Sequence, residues 1–322
     1  MRALVCHELS EDRSGTRLEA DWPEPPAPGP GEVTVAMTAA ALNYPDLLML
    51  SGGYQFRPAL PFVAGVEGAG HIIRVGEDVS GELIGERVVV GARSGCLAER
   101  LTLPLAAVRS LPPGMHDAQA AAFTVGALTA WVGLVECGRL RAGERVLVLG
   151  AGGGMGWAAV QLARAKGAAV QAATSDPAKA ALLLGAGADT VLTIDRAAPG
   201  FDGLKDIDIV FDPVGGALAL PALKTLRWGG RYLVIGFTGG PPTKVPLNRL
   251  LLKGTEIVGV RAGEAGRQDA SAGARHRRAI DALAAAGKLT PHIGLTVPLE
   301  RADEAFDAMA AGRITGKAVV TF

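Results

Sequence analysis

The sequence predicts an α/β fold in which a doubly wound parallel sheet follows a smaller β domain. A strand, a run of glycines and a helix follow one another directly from Arg145. From Asp117 onwards, strand-like and helix-like segments alternate, which is typical of a parallel sheet with helical crossovers. Up to about residue 110, short β segments are separated by glycines. That pattern indicates a compact, partly barrel-like β domain.

The N-terminal part is predicted to contain strands and one short helix. Residues 22–31 hold five prolines in ten positions, which excludes a helix or an inner strand and predicts a stiff connector. Residues 43–46 lead into a short helix, and Pro45, next to Asp46, suits a first helical turn. We expect a polar turn after the first strand, and the following elements: strands over 2–6, 32–42, 71–75 and 88–90, and a helix over 47–50.

The remaining chain is predicted to alternate between helices and strands before it returns to the first domain. The expected helices cover 118–123, 127–136, 157–166, 178–184, 217–226, 271–286 and 300–312. The expected strands cover 146–149, 168–174, 191–193, 207–211, 231–235, 256–260 (at the sheet edge) and 317–322. We therefore expect a catalytic domain over 1–116, a nucleotide-binding domain over 117–261 and a return over 262–322.

The segment RVLVLGAGGGMG, from Arg145 to Gly156, predicts a nucleotide site. Glycines let the backbone approach a pyrophosphate, and the N–H groups at the start of the next helix face the anion. The spacing is Gly150-x-x-Gly153-x-x-Gly156 rather than G-x-G-x-x-G, and such a run alone also fits a tight turn without a ligand. Here the strand, the helix and a second strand are all present. The expected pyrophosphate contacts are Gly150, Gly153, Gly154 and Met155.

The end of the second strand favours NADPH over NADH. NAD enzymes usually place Asp or Glu there to bind the ribose 2′-hydroxyl. This chain has Thr174 and Ser175, with Lys179 four residues further on. A hydroxyl and an ammonium suit a 2′-phosphate, which a carboxylate would repel. The carboxylate of Asp176 weakens this argument for NADPH unless it caps the following helix. Ser175 and Lys179 also fit ordinary surface positions without a ligand.

Composition excludes several classes of protein. The 322 residues carry 32 basic and 32 acidic side chains, which argues against a general nucleic-acid or anionic-membrane surface. The N-terminus has no apolar stretch of signal-peptide length, and no apolar run approaches the length of a membrane span. Cys6, Cys96 and Cys137 form neither a disulfide framework nor a C-x-x-C metal pattern. We expect a cytoplasmic protein.

Seven segments together resemble one family, the zinc-free quinone oxidoreductase branch of the medium-chain dehydrogenase/reductase superfamily. They run through nearly the whole chain in the family's order: LNYPDLLMLSGGY (42–54), LPFVAGVEGAGHIIRVG (60–76), GALTAW (126–131), VLVLGAGGGMG (146–156), FDPVGG (211–216), GGRYLVIGFTGG (229–240) and GRITGKAVV (312–320). The resemblance implies a GroES-like β domain, a Rossmann domain, a C-terminal return, a cleft for the nicotinamide and a homodimer.

The resemblance also implies site residues. It places Asn43 and Asp46 near the nicotinamide or the substrate, although Asp46 also fits a role in the first turn of its helix. It places Thr129 beside the nicotinamide amide, and Phe237 and Thr238 in a loop at the carboxyl end of a strand. Many NADPH-binding relatives have a tyrosine near the position of Ile194, and this chain lacks it. Ser175 and Lys179 are therefore expected to provide more of the contact with the 2′-phosphate.

The expected zinc ligands of zinc-dependent relatives are absent. Those relatives have a cysteine near Asn43, a histidine at the place of Val66 and a second cysteine near Ala121. Valine cannot bind a metal, and the four clustered cysteines of the structural zinc lobe are absent too. The histidines are scattered at 7, 71, 116, 276 and 292. We therefore expect no metal site.

These observations predict an NADPH-dependent reductase of quinones or α,β-unsaturated carbonyls. Reduction of such acceptors needs less help from a Lewis acid than oxidation of an alcohol does. Tyr54 is the first candidate proton donor, because a phenol stays protonated at neutral pH and related enoyl-thioester reductases use a tyrosine at the matching place. It also fits a packing role. An enoyl-CoA or acryloyl-CoA reductase is the alternative, with Arg57 and Arg93 as candidate phosphopantetheine contacts. A crystallin-like or RNA-binding role is the non-enzymatic alternative.

Overall fold

A computed structural model describes residues 1–112, 114–195 and 197–322. The chain divides into two compact units. The first unit consists of residues 1–124 and 292–322, and the second unit of residues 125–291.

The N-terminal segment of the first unit is mostly β-structure. Its strands and helices are β1 (Ala3–Cys6), β2 (Thr16–Glu19), β3 (Glu32–Ala41), α1 (Tyr44–Leu50), β4 (Phe62–Val63), β5 (Glu67–Val75), β6 (Arg87–Gly91), β7 (Arg100–Pro104), β8 (Val108–Ser110) and α2 (Asp117–Ala121).

The second unit alternates strands and helices. Its first helix, α3 (Thr124–Trp131), begins at the last residue before the second unit. The elements that follow are β9 (Arg145–Val148), α4 (Gly154–Ala165), β10 (Ala169–Thr174), α5 (Ala180–Gly185), β11 (Thr190–Thr193), β12 (Ile207–Asp212), α6 (Ala219–Thr225), β13 (Leu226–Val234), α7 (Asn248–Lys253), β14 (Glu256–Gly259), α8 (Ala262–Gln268) and α9 (Ala270–Ala285). The C-terminal segment then adds β15 (Ile293–Pro298), α10 (Ala302–Ala310) and β16 (Lys317–Thr321) to the first unit.

The sheets of the first unit are built largely from antiparallel pairs. The larger one has the order β15-β16-β3-β5-β6-β8, with β7 also paired to β3, and the smaller one has the order β2-β1-β4. In the larger sheet Val319 pairs with Ala41, so the last strand lies beside β3. The sequence predicts a return of the last segment to the first domain. The chain reaches β3 there because Val320 and Ala318 are apolar and bury in the same core as Val33 and Val35.

The second unit has one parallel sheet in the order β11-β10-β9-β12-β13-β14. Counted from β9, this is the order 3-2-1-4-5-6 of dinucleotide-binding folds, and it confirms the predicted doubly wound sheet. The strand order reverses between β9 and β12, so the carboxyl ends of those two strands form the switch point where such sheets bind ligands. β14 lies at the sheet edge, as the sequence predicts.

Some elements differ from the sequence prediction. The expected polar turn contains β2, which pairs with β1 in antiparallel register. The helix expected over 127–136 changes at its end into a π-helical turn over Val132–Cys137. The sequence also does not predict β15 or α7. Short or solvent-facing segments of this kind take their structure from the partner against which they pack rather than from a strong local pattern.

The N-terminal segment of the first unit extends to residue 124 and the second unit to residue 291, whereas the sequence predicts domain boundaries at 116 and 261. The second unit extends to residue 291 because α9 packs against α8, which follows the sheet directly. Within the part of the chain that the structure describes, no helix combines the length and apolarity that crossing a membrane requires.

Candidate coenzyme site and buried polar cluster

The glycine turn lies at the carboxyl end of β9, at the switch point. Gly150 has a φ of 57°, a left-handed conformation that favours glycine, and Gly153 precedes α4 with no capping side chain. The first N–H groups of a helix have no partner within it. At this turn they are therefore available to an anion, which fits the pyrophosphate of a dinucleotide.

Gly156 allows α4 to lie close to the turn. A Cβ there would be 2.3 Å from the carbonyl oxygen of Gly150 and 2.7 Å from the Cα of Ala151. Nothing larger than glycine therefore fits without separating the helix from the turn. This is the role of the third glycine in dinucleotide sites.

Lys179 lies against the glycine turn, although it comes from the segment after β10. Its side chain is 8% exposed, and a Cβ on Gly152 would be 2.6 Å from Lys179 Cδ. Thr174 ends β10 in a buried position, and its Oγ1 would lie 3.6 Å from the same Cβ. Ser175 is exposed. Asp176 accepts a hydrogen bond from the N–H of Ala178 at 3.0 Å, which is the capping role considered above.

Two further turns meet the glycine turn at this edge of the sheet. Asp212 ends β12 and accepts hydrogen bonds at 2.7 Å from the N–H groups of Val214 and Gly215. A Cβ on Gly150 would be 2.8 Å from Val214 Cγ2, so the two turns touch. Thr238 Oγ1 donates to the carbonyl of Pro213 at 3.1 Å.

The predicted nicotinamide-side residues of the second unit lie around these turns. Phe237, next to Thr238, is 45% exposed. Thr129 is half-buried on α3, which passes the glycine turn, since a Cβ on Gly126 would be 3.2 Å from the carbonyl oxygen of Gly154. The sheet thus gathers Thr129, Phe237 and Thr238 near one edge, from segments that are far apart in sequence.

Asn43 belongs to a buried polar cluster in the first unit. Its amide nitrogen donates to the carboxylate of Glu67 at 3.0 Å and to the carbonyl of Ala41 at 3.2 Å. Its amide oxygen accepts from the ammonium of Lys317 at 2.6 Å, and the same ammonium donates to Glu67 at 2.7 Å. Both hydrogens of the amide are therefore already used within the protein.

Asp46 lies in the same cluster and at the start of α1. Its carboxylate accepts a hydrogen bond from the N–H of Asn43 at 2.8 Å, which satisfies a free donor at the helix start. Burial raises the pKa of Asp46 to about 7, against the opposing effects of the Asn43 N–H and the Lys317 ammonium. Burial also raises the pKa of the nearby Cys96 thiol, and the carboxylates of Asp46 and Glu67 add to that shift.

Tyr54 lies outside this cluster, in the turn after α1. Its N–H donates to the carbonyl of Leu48 at 3.1 Å. Its ring is half-buried and packs against the apolar core of the first unit. The ring position allows packing, and the partial exposure leaves the phenol open to a reactant.

Glu67 and Lys317 are functional candidates that the sequence analysis did not assign. Each is almost fully buried, with 1% and 7% exposure. Buried charges are rare unless they are paired. A lysine directly before the apolar run Ala318–Val320 is the sequence signal that could have identified Lys317, but its partner could not be inferred from that signal.

Comparisons with known proteins agree with this architecture. One family model, the alcohol dehydrogenase GroES-like domain, matches residues 29–113, and another, described as zinc-binding dehydrogenase, matches residues 154–289. The first match identifies the β-rich first unit as GroES-like, and the second falls on the parallel-sheet unit.

Curated relatives match over almost the whole chain. A quinone oxidoreductase-like protein 2 homolog from Nematostella vectensis is 31% identical, over 99% of this chain and 88% of its own length. The quinone oxidoreductase-like protein 2 of Mus musculus is also 31% identical, over 99% and 92%. Among solved structures, a quinone oxidoreductase from Thermus thermophilus, described with its NADPH complex, has 32% identity and a TM-score of 0.82, with 100% of both chains covered.

One matching family model is described as zinc-binding, and the residues present decide whether a zinc ion could be bound here. In the described ranges, no three His, Cys, Asp or Glu side chains come together to hold a metal ion. At the expected ligand positions the structure has the amide of Asn43, bound to an ammonium, and the side chain of Val66. This donor set does not fit zinc, which prefers thiolate and imidazole.

Proposed function

Because this chain belongs to the quinone oxidoreductase-like branch of the medium-chain dehydrogenase/reductase superfamily, we propose that it is an NADPH-dependent oxidoreductase. It transfers a hydride to a quinone or an α,β-unsaturated carbonyl, and it needs no metal. The contact of Lys179 with the glycine turn is the observation that carries the choice of coenzyme.

NADPH supplies the hydride of this reaction. The glycine turn over Gly150–Met155 holds its pyrophosphate through backbone N–H groups. Lys179 and Ser175 contact its 2′-phosphate, with Thr174 in place of the acidic residue that would repel it. The Thermus thermophilus relative, which forms an NADPH complex, supports this choice.

Thr129, Phe237 and Thr238 position the nicotinamide. Their support is their placement near the carboxyl edge of the sheet, where doubly wound folds bind ligands. The exposed ring of Phe237 offers an apolar surface to the coenzyme or to the substrate.

In the first unit, Tyr54 donates the proton that follows hydride transfer. Asn43 and Asp46 set the electrostatic field beside the reactants. Since the amide of Asn43 is held by Glu67 and Lys317, its contribution is a fixed dipole. The ammonium of Lys317 supplies the positive charge of this cluster.

The protein functions as a homodimer that pairs through β14. Among the described strands β14 pairs with β13 alone, so its outer edge keeps unpaired N–H and C=O groups. The neighbouring side chains of Leu251, Leu252 and Trp228 are 79%, 71% and 70% exposed. A second copy, related by a two-fold axis, covers the edge and this apolar surface together.

We also place the protein in the cytoplasm. The structure has free thiols at Cys6, Cys96 and Cys137. Unpaired cysteines are typical of reducing compartments.

The test follows oxidation of NADPH and of NADH by the absorbance of the reduced nicotinamide, with 9,10-phenanthrenequinone as acceptor. Turnover with NADPH at a kcat/KM at least about tenfold above that with NADH supports the proposal. Equal turnover with NADH removes the assigned role of Lys179 and Ser175. No turnover with this quinone or with a simple enone overturns the reaction class.

An acyl-thioester reductase is the second candidate. The guanidinium of Arg93 lies 4.0 Å from the centroid of the Phe56 ring, and both Arg93 and Arg57 are exposed. A cation fixed by an aromatic ring suits the phosphates of coenzyme A. Turnover of crotonyl-CoA above that of the quinone would favour this candidate.

A further inference from the structure

The second unit contains a cavity beside the loop that begins at Phe237. It measures about 150 Å³ and lies between α6, one face of β13 and the loop over 237–245. Its walls are apolar, and its lining includes Ala219, Leu223, Val234, Val245 and Ile257. An enclosed apolar cavity of this volume in another protein binds benzene, and the present cavity is partly open to solvent. The space is therefore suitable for one six-membered ring.

The cavity also has one strongly polar group in its lining. Asp212 and Tyr232 both line it, and they are 2% and 4% exposed. The hydroxyl of Tyr232 donates to Asp212 Oδ2, while Oδ1 accepts from the N–H groups of Val214 and Gly215. An ionised carboxylate offers about four acceptor positions. Donors from the described residues use three of them, so one more donor can be accepted.

The loop over 237–245 borders the cavity and is tied to the turn after β12 by several hydrogen bonds, including those of Thr238 to Pro213 and of Gly239 to Val214. Thr243 Oγ1 donates to the carbonyl of Gly216 at 2.6 Å. Phe237 and Pro242 line the cavity from the same loop, and both are exposed. The cavity is partly open to solvent, so a small ligand can enter it without disrupting the sheet.

We propose that this cavity binds a phenol-sized aromatic ring, with the ring against the apolar walls and its hydroxyl donating to the Asp212–Tyr232 pair. The ligand class follows from the two features together: the volume selects a single ring, and the unused acceptor position selects a ring that carries a donor. Because Phe237 lines this cavity and also belongs to the proposed nicotinamide site, the two sites adjoin, and phenol binding is measured directly rather than through turnover.

The test is a titration of the methyl-labelled full-length protein with phenol, followed by NMR. Saturable shifts at Leu223, Val234, Val245 and Ile257 are expected. Toluene has the same shape but no donor, so it should bind about tenfold more weakly. Ala219→Leu fills the cavity from α6 and should abolish these shifts. Ala217→Leu, the same change at an exposed position two residues earlier, should leave them intact.

If Ala219→Leu folds poorly, a second variant that fills the same cavity tests the proposal in its place. Val245→Phe fills the same space from the loop, where packing constraints are weaker. Phenol shifts that persist in the filled variant would overturn the proposal, as would shifts centred on Met155 at the glycine turn. Equal affinity for toluene and phenol would overturn the role of Asp212 and Tyr232.

Discussion

Lys317 donates a hydrogen bond of 2.7 Å to the carboxylate of Glu67, from which it is separated by 250 residues. The pair joins the last strand of the chain to β5 within the core of the first unit. The side chains are 8% and 1% exposed, so neither charge has water as an alternative partner. The C-terminal return therefore completes a polar cluster that the N-terminal segment alone would leave with two carboxylates and no cation.

Removing the cation should destabilise the protein strongly. Lys317→Met keeps the length of the side chain but removes the ammonium that pairs with the buried charge of Glu67, which should cost roughly 3–5 kcal/mol of unfolding free energy. Urea unfolding at neutral pH measures the loss. The double variant Lys317→Met/Glu67→Gln removes both charges and should recover part of it. A double variant that is less stable than Lys317→Met would contradict this account.

The raised pKa of Asp46 predicts a dependence of stability on pH. The folded pKa is about 7, above the unfolded value near 3.8, so the folded state holds a proton that the unfolded chain has released between these values. This contribution to stability is complete below about pH 4 and is lost as the pH rises to about 7.

Asp46→Asn should remove that loss, because the amide stays neutral. The measurement compares the slope of unfolding free energy against pH, from about 4 to 7, for wild type and variant. Asp21→Asn, at an exposed position, is the matched control and should keep the wild-type slope. If Asp46→Asn also keeps it, Asp46 does not titrate in this range.

Gly156→Ala should weaken both stability and coenzyme binding. The new Cβ would lie 2.3 Å from the carbonyl of Gly150, so the start of α4 must move, at a cost of about 1–3 kcal/mol. Gly185→Ala is the control, since its Cβ meets nothing within 4 Å. Thermal unfolding and NADPH titration should separate the two variants. Equal behaviour would mean that the close approach at Gly156 has no energetic consequence.

Lys179→Gln tests the coenzyme phosphate contact. Loss of a charge-assisted bond to the 2′-phosphate should raise the Kd for NADPH about tenfold and leave the Kd for NADH unchanged. Fluorescence titration of both coenzymes gives the ratio. Lys205→Gln removes an exposed lysine elsewhere and should change neither. Parallel weakening of both coenzymes by Lys179→Gln would indicate a role in shaping the turn instead.

Tyr54→Phe separates proton donation from packing. If the phenol donates the proton, kcat should fall about a hundredfold, with little change in coenzyme affinity or unfolding temperature, because the ring is retained. A solvent isotope effect on the wild-type kcat that is lost in the variant would support this role. Unchanged turnover would leave Tyr54 as a packing residue.

Local sequence patterns were sufficient to predict the doubly wound sheet and the glycine turn. Apolar strands such as Val146–Leu149 must be buried, and glycines between a strand and a helix allow close backbone approach. The sequence also predicts the position of β14 at the sheet edge, where the structure has it.

Which distant side chains meet depends on the tertiary structure. Lys317 and Glu67 pair because β16 lies beside β3, and β3 lies beside β5, a register that no local pattern specifies. The cavity between Ala219 and Tyr232 likewise depends on how α6 packs over the sheet. Strand order and helix packing follow from burial summed over the whole chain, so the contacts they create cannot be inferred from any single segment.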